Sequence, residues 1–158
     1  MIQLRIVRTA FGGDGISSHE GKTCFVEGGL PGELVEAELV RDKKDFMRFR
    51  ATRILESSAH RVQPPCLHYG FCGGCQYQHV SYEEELRLKQ TQLKDILKKI
   101  AGLDLPVETI IHGRKDYGYR RSVTFHVGSS GKNKAPQLCF IAKDNVSKIP
   151  VKSCDLLD

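Results

Sequence analysis

Three cysteines fall within ten residues in Cys66-Leu-His-Tyr-Gly-Phe-Cys72-Gly-Gly-Cys75. The last two form a Cys-x-x-Cys hook, the spacing at which two thiolates converge on one metal centre. Gly70, Gly73 and Gly74 lie between or beside them, and backbone without a Cβ can take the turns that wrap a small inorganic group. The same glycines leave N–H groups able to point at sulfur. Three thiolates leave an iron or zinc centre one ligand short, and Cys154, in the polar stretch Lys152-Ser-Cys-Asp, is the candidate fourth. Cys24 and Cys139 read differently, because each sits among apolar neighbours in a strand pattern where a free thiol behaves as a small hydrophobe. His68 and His79 offer nitrogen donors, so spacing alone leaves structural zinc and an iron–sulfur cluster both open. Tyr69, Phe71 and Tyr77 are candidates for an apolar ring that limits water at the site.

Other elements must position these residues. The first sixty residues read as short strands joined by glycine turns. Ile2, Leu4 and Ile6 alternate with Gln3, Arg5 and Val7, Phe11–Gly15 is a turn, and Lys22–Val26 is a second strand. Gly28–Gly32 turns again, and Glu33–Val40 places Val35, Ala37 and Leu39 on one face. In Phe46–Leu55, Phe46, Arg48, Arg50 and Thr52 share one side and Met47, Phe49 and Ala51 the other. Strands at this spacing predict a small closed barrel, OB-like in kind. A face with Arg48 and Arg50 beside Phe46 suits base stacking and phosphate contact, or else is a solvated strand face.

Pro64-Pro65 delivers Cys66 in extended backbone. Ser81-Tyr-Glu-Glu84 reads as a capping box opening a helix to about Ala101, stopped at Gly102. Its expected buried stripe is Leu86, Leu93, Leu97 and Ile100 with Ile96 alongside. Its solvated face carries the pairs Glu83–Arg87, Glu85–Lys89 and Asp95–Lys99. Tyr117–Val127 reads as a strong strand, Gly128–Pro136 as a flexible basic loop, and Gln137–Ala142 and Val146–Val151 as returning antiparallel strands. The fold class is therefore β-rich α+β. Residues 1–60 are expected to form the barrel and residues 61–158 a metal-binding α+β domain with an antiparallel sheet.

At 158 residues and a formal charge of +5, the chain suits one domain or two small ones and a polyanionic partner. Met1–Arg8 is charged too early for a signal peptide, and no apolar run approaches the ~18 residues of a membrane span. Cysteines at metal-ligand spacing without a secretion signal predict a reduced, cytoplasmic protein with no membrane partner. No Gly-x-Gly-x-x-Gly follows a strand, and Gly128-Ser-Ser-Gly-Lys132 is too short for a phosphate loop.

Gly28-Gly-Leu-Pro-Gly-Glu-Leu-Val35 resembles the signature turn of a TRAM domain, a small RNA-binding β-barrel. Pro65-Cys66-x5-Cys72-Gly-Gly-Cys75-x-x-Gln78-His79, with Tyr82 and Lys89, is similar to the iron–sulfur segment of bacterial RNA uracil-5-methyltransferases. Tyr119-Arg-Arg121 with Phe125 looks like their central-domain strand, and Ile149–Cys154 like the segment bearing their fourth ligand. The match runs the length of the chain in the family's order.

The resemblance implies a [4Fe-4S] cluster on Cys66, Cys72, Cys75 and Cys154. It also implies S-adenosylmethionine as the parent enzyme's methyl donor, and 23S rRNA rather than tRNA or DNA as the substrate. In such enzymes a cysteine thiolate adds to uracil C6, C5 takes the methyl group and a base removes the C5 proton. The family places those catalytic residues after the fourth cluster cysteine. The chain is accordingly expected to be an N-terminal portion, inactive alone, with no catalytic residue assigned in it. Arg48, Arg50, Arg120, Arg121, Lys132 and Lys134 are the expected RNA contacts. The alternatives are a free-standing RNA-binding iron–sulfur or zinc module, and an electron-transfer protein.

Overall fold

The turns and strands of the first sixty residues build one sheet. A computed structural model describes residues 1–130 and 135–158, with Ser130 described by its backbone only. The strands are β1 (Ile2–Arg5), β2 (Arg8–Thr9), β3 (Gly15–His19), β4 (Lys22–Glu27), β5 (Leu34–Asp42) and β6 (Phe46–Glu56), in the order β1-β5-β6-β4-β3-β2. All neighbours are antiparallel except β4 and β6, which run parallel from Thr23↔Phe46 to Glu27↔Arg50. Alternation works as read: Leu4, Ile6, Cys24, Val26, Val35, Ala37, Met47 and Phe49 form the core.

β1 and β2 occupy opposite edges although only Ile6-Val7 separates them, so the sheet curls until its edges approach. Ser17 Oγ of β3 donates to Arg5 O at the end of β1 at 2.8 Å, on the side where those edges meet. The expected closed barrel is corrected to this curled sheet, since among the described residues no strand ladder joins β1 to β3. Ile6 spends its backbone groups elsewhere, its N–H on Glu33 O and its carbonyl on Gly32 N–H. Two further corrections follow from pairing. Gly15–His19 is a strand that the sequence reading passed over, because its polar Ser17-Ser18 shows no apolar alternation. Leu39 is 54 % exposed, because β1 pairs with β5 only as far as Ala37 and the β5–β6 register shifts beyond it.

Helix α1 spans Tyr82–Ile100, with Gly102 following at φ 68°. Ser81 is the N-cap residue, but its side chain caps nothing. The capping box does not form: Glu84 is buried and bonded to Arg87, while Ser81's own N–H is taken by His60 O at 2.8 Å. The buried stripe is Glu84, Leu88 and Gln92 rather than the leucine stripe expected, leaving Leu93 exposed and Ile100 81 % exposed. Glu85–Lys89 and Asp95–Lys99 pair as read, at 2.5 and 3.1 Å, whereas Arg87 turns to Glu84 instead of Glu83.

A second sheet contains β7 (His126–Ser130), β8 (Ala135–Ile141) and β9 (Lys148–Pro150), antiparallel in that order. The long strand expected over Tyr117–Val127 is corrected to its last two residues, continuing to Ser130. The β7–β8 ladder stops at His126↔Cys139, although β8 runs on to Ile141, and residues 118–120 bond the C-terminal segment instead. The expected loop over Gly128–Pro136 shrinks accordingly, since both its ends are strand.

By contacts the chain divides into two units, Met1–Val62 with His79–Ile111 and Gln63–Gln78 with His112–Asp158. The first holds the six-stranded sheet and α1, the second the cysteine loop and the three-stranded sheet.

Candidate metal centre

The cysteine loop is shaped by backbone bonds before any ligand is considered. Tyr69 N–H donates to Cys66 O, and both Phe71 and Cys72 N–H donate to His68 O, at 2.9–3.1 Å. Gly70 makes this possible at φ 89°, a conformation that L side chains resist. Gly73 N–H then donates to Ile141 O and Lys143 N–H to Phe71 O, fastening the loop to the end of β8. A Cβ on Gly73 would stand 3.4 Å from the carbonyl oxygens of Ile141 and Ala142. Gly74 N–H points at Cys72 Sγ, 3.4 Å away, the kind of contact read from the glycines. Tyr69 Oη donates to Gln76 O at 2.8 Å, and Cys66 N–H to the buried Gln78 Oε1 at 3.3 Å.

The tail is held with equal care. Gly118 and Arg120 N–H donate to Asp155 and Leu156 O, and Asp158 N–H returns to Arg120 O at 3.0 Å. Cys154 is thereby brought to the loop, across nearly eighty residues of sequence. Cys66, Cys72, Cys75 and Cys154 all line one cavity of ≈ 230 Å³, walled also by Val123, Phe140, Ile141 and Leu156. All four are free thiols. Burial pushes the Cys75 thiol above its ordinary range, Gln78 opposes the shift, and negative charge on Cys72, Cys154 or Cys66 pushes it further. Four acidic groups facing one partly apolar cavity ask for a cation. Yet among the described residues no group of three His, Cys, Asp or Glu is arranged to hold a single metal ion.

The other candidates scatter. Cys24 and Cys139 are buried in the two sheets, as read. His68 lines the cavity, but His79 is buried in the other unit. Tyr69 is a cavity wall, whereas Phe71 is 72 % exposed; the apolar wall comes instead from β8, Val123 and Leu156, which no local pattern marks. Arg120 lines the cavity and lies 5.9 Å over the Tyr119 ring, and Arg121 is exposed. Arg48 pairs with Asp14 at 3.3 Å, and Arg50 with Glu27 at 3.1 Å and Glu38 at 3.8 Å. Lys132 and Lys134 lie outside the described residues.

Sequence reasoning missed a buried ion pair. Glu33, with no exposed surface, accepts from Arg61 at 2.6 and 2.7 Å and from the Leu30 and Ser58 N–H groups, while Arg61 also donates to Gly28 O. The pair clamps the 28–33 turn to the strand exit. Twenty-eight residues separate the partners, so no local signal exposes it.

No family model matches the chain. It is 41 % identical over 127 residues to an RNA methyltransferase of Aquifex aeolicus, covering 80 % of this chain and 30 % of that protein. It is 37 % identical over 145 residues to the 23S rRNA (uracil(1939)-C(5))-methyltransferase RlmD of Erwinia tasmaniensis, covering 92 % and 33 %. With the Shewanella amazonensis RlmD the figures are 35 % over 156 residues, 99 % and 35 %. The chain thus spans about a third of the length of the curated relatives it matches. In fold it is similar to the Pyrococcus abyssi tRNA (uracil-54, C5)-methyltransferase in complex with S-adenosyl-L-homocysteine, at TM-score 0.57 and 24 % identity over 97 % of this chain and 32 % of that one.

Proposed function

We propose, from the premise that this chain is a homologue of RNA uracil-C5-methyltransferases over about a third of their length, that it is the RNA- and cluster-binding N-terminal part of such an enzyme. Its first unit is a TRAM-type RNA-binding module, and its second binds a [4Fe-4S] cluster through Cys66, Cys72, Cys75 and Cys154. The parent enzyme methylates uracil C5 in 23S rRNA of a cytoplasmic ribosome. Its catalytic domain supplies the cysteine nucleophile and the S-adenosylmethionine site, and the present chain is inactive alone. A fold shared with a tRNA enzyme means that the choice of rRNA rests on the relatives' names and not on architecture.

The observation that carries this reading is four free thiols lining one cavity in a chain homologous to RNA methyltransferases. The donor set fits the group. A zinc ion with bonds of about 2.3 Å would draw its thiolates to within about 4 Å of one another. Four thiolates are equally the donor set of a [4Fe-4S] cluster. Such a cluster would pin the 66–78 loop to the C-terminal segment. Basic side chains at 48, 50, 120, 121, 132 and 134 would meet phosphate. Anaerobically purified protein should be brown, absorb near ~400 nm and carry about four iron and four sulfide per chain, with Cys75→Ser losing them. Colourless protein with one zinc per chain overturns the cluster assignment.

A further inference from the structure

The cysteine loop carries two glutamines, and the fold treats them differently. Gln76 is exposed, and its Nε2 donates to Gly73 O at 3.4 Å, a bond to the loop's own backbone. Gln78 is only 7 % exposed. A primary amide carries two N–H donors and a carbonyl acceptor, and leaving them without partners in the interior is costly.

Both ends of the Gln78 amide go to cysteines. Oε1 accepts from Cys66 N–H at 3.3 Å, and the side chain also hydrogen-bonds the Cys75 sulfur. That second bond favours the thiolate over the thiol, so the amide nitrogen is its donor. Gln78 lines the same cavity as the four cysteines. One buried side chain therefore bridges the first and third cysteines of the loop. Cys72 has a donor of another kind, the backbone N–H of Gly74 at 3.4 Å from Sγ. The Cys75 bond comes from a side chain and is open to substitution.

Such bonds act on a thiolate-held cluster through orientation and through charge. A partner that fixes a ligand is worth roughly 10–100-fold in metal affinity. A cluster gains a negative charge on one-electron reduction, and a donor aimed at a ligating sulfur stabilises that more negative state.

We propose that Gln78 is the positioning residue of the metal centre, its amide locking Cys66 and Cys75 in ligating orientation and raising the cluster's reduction potential through an N–H···S bond to Cys75. This rests on the reading of the four cysteines as cluster ligands. Gln78 binds no iron itself.

The test compares the wild-type chain with Gln78→Met, both purified anaerobically. Methionine keeps an unbranched side chain but has no N–H to give. Iron release to a chelator, followed by loss of the cluster's visible absorbance, should be roughly 10–100-fold faster in the variant. The reduction potential, from a dye-mediated titration with dithionite, should shift to more negative values. Its sign separates this role from a merely structural one. A substitution that only opened the site to water would shift the potential upward, because water also favours the more negative state. Gln78→Glu keeps an acceptor for Cys66 N–H and loses the donor to Cys75, so it too should shift negative. Should Gln78→Met assemble no cluster, the Glu variant carries the test. Unchanged release and potential, or a potential that rises, overturns the proposal. A wild-type chain that binds zinc, or no metal, overturns the cluster reading beneath it instead.

Discussion

At the scale of single residues, Glu33 and Arg61 carry the largest cost of error. Burial alone would raise the Glu33 carboxyl, but the Arg61 hydrogen bonds, the Leu30 and Ser58 N–H groups and the Arg61 charge more than offset it and hold it below the ordinary carboxylate range. Removing one partner strands the other, so Glu33→Gln should cost about 3–5 kcal/mol in urea unfolding. The sign of its pH dependence follows from the direction of the shift. A carboxylate lowered on folding contributes stability that is full above its unfolded value of about 4.3 and is lost as pH falls through the lower folded value. The wild-type chain should therefore lose stability in acid from about pH 5 downwards, and Glu33→Gln should show a flatter acid limb. An identical acid limb in both proteins would refute the assignment.

At the scale of elements, helix α1 shows how a strong local signal can be outbid by its surroundings. Ser81-x-x-Glu84 has the residues of a capping box, yet the Ser81 N–H already has His60 O and Glu84 already has Arg87. A serine cap that makes no side-chain bond has little to lose. Ser81→Ala should cost much less stability than the ~1 kcal/mol typical of losing a working cap. Thermal melting read by circular dichroism checks this, and a full-sized loss would mean that the capping bond forms in solution. The same logic governs the strand read over Tyr117–Val127. Alternation invites a strand, but a strand needs a partner, and residues 118–120 find the C-terminal segment rather than a sheet edge.

At the scale of the whole molecule, four free thiols line one cavity in the cysteine-bearing unit, which backbone hydrogen bonds already draw together. The cysteine-bearing unit has a sheet of three short strands, and its buried apolar residues are few, Cys139 and Leu156 among them. The other unit has the eight-residue core and a neutral, internally paired surface. On the proposed cluster assignment, chelation should therefore loosen one unit and spare the other. Hydrogen exchange after iron removal should show protection lost in residues 63–78 and 112–158 and retained in β1 to β6. Uniform loss, or no loss, would reject a structural role for the cluster.

The amino-acid sequence alone determined what depends on near neighbours. The Cys-x-x-Cys loop, the glycine turns, the two-residue period of β1, β5 and β6, the extent of α1 and the buried character of Cys24 and Cys139 all follow from chemistry within a few residues. Tertiary structure decided everything that required a distant partner. It chose which face of α1 is buried, turned a closed barrel into a curled sheet through the backbone of Ile6, and joined Glu33 to Arg61. It also set Arg48 and Arg50 against carboxylates, while Arg120 and Arg121 have none among the described residues. The physical reason is common to all of these: a hydrogen bond, an ion pair or a buried face belongs to two surfaces at once, and the sequence shows each surface without its mate.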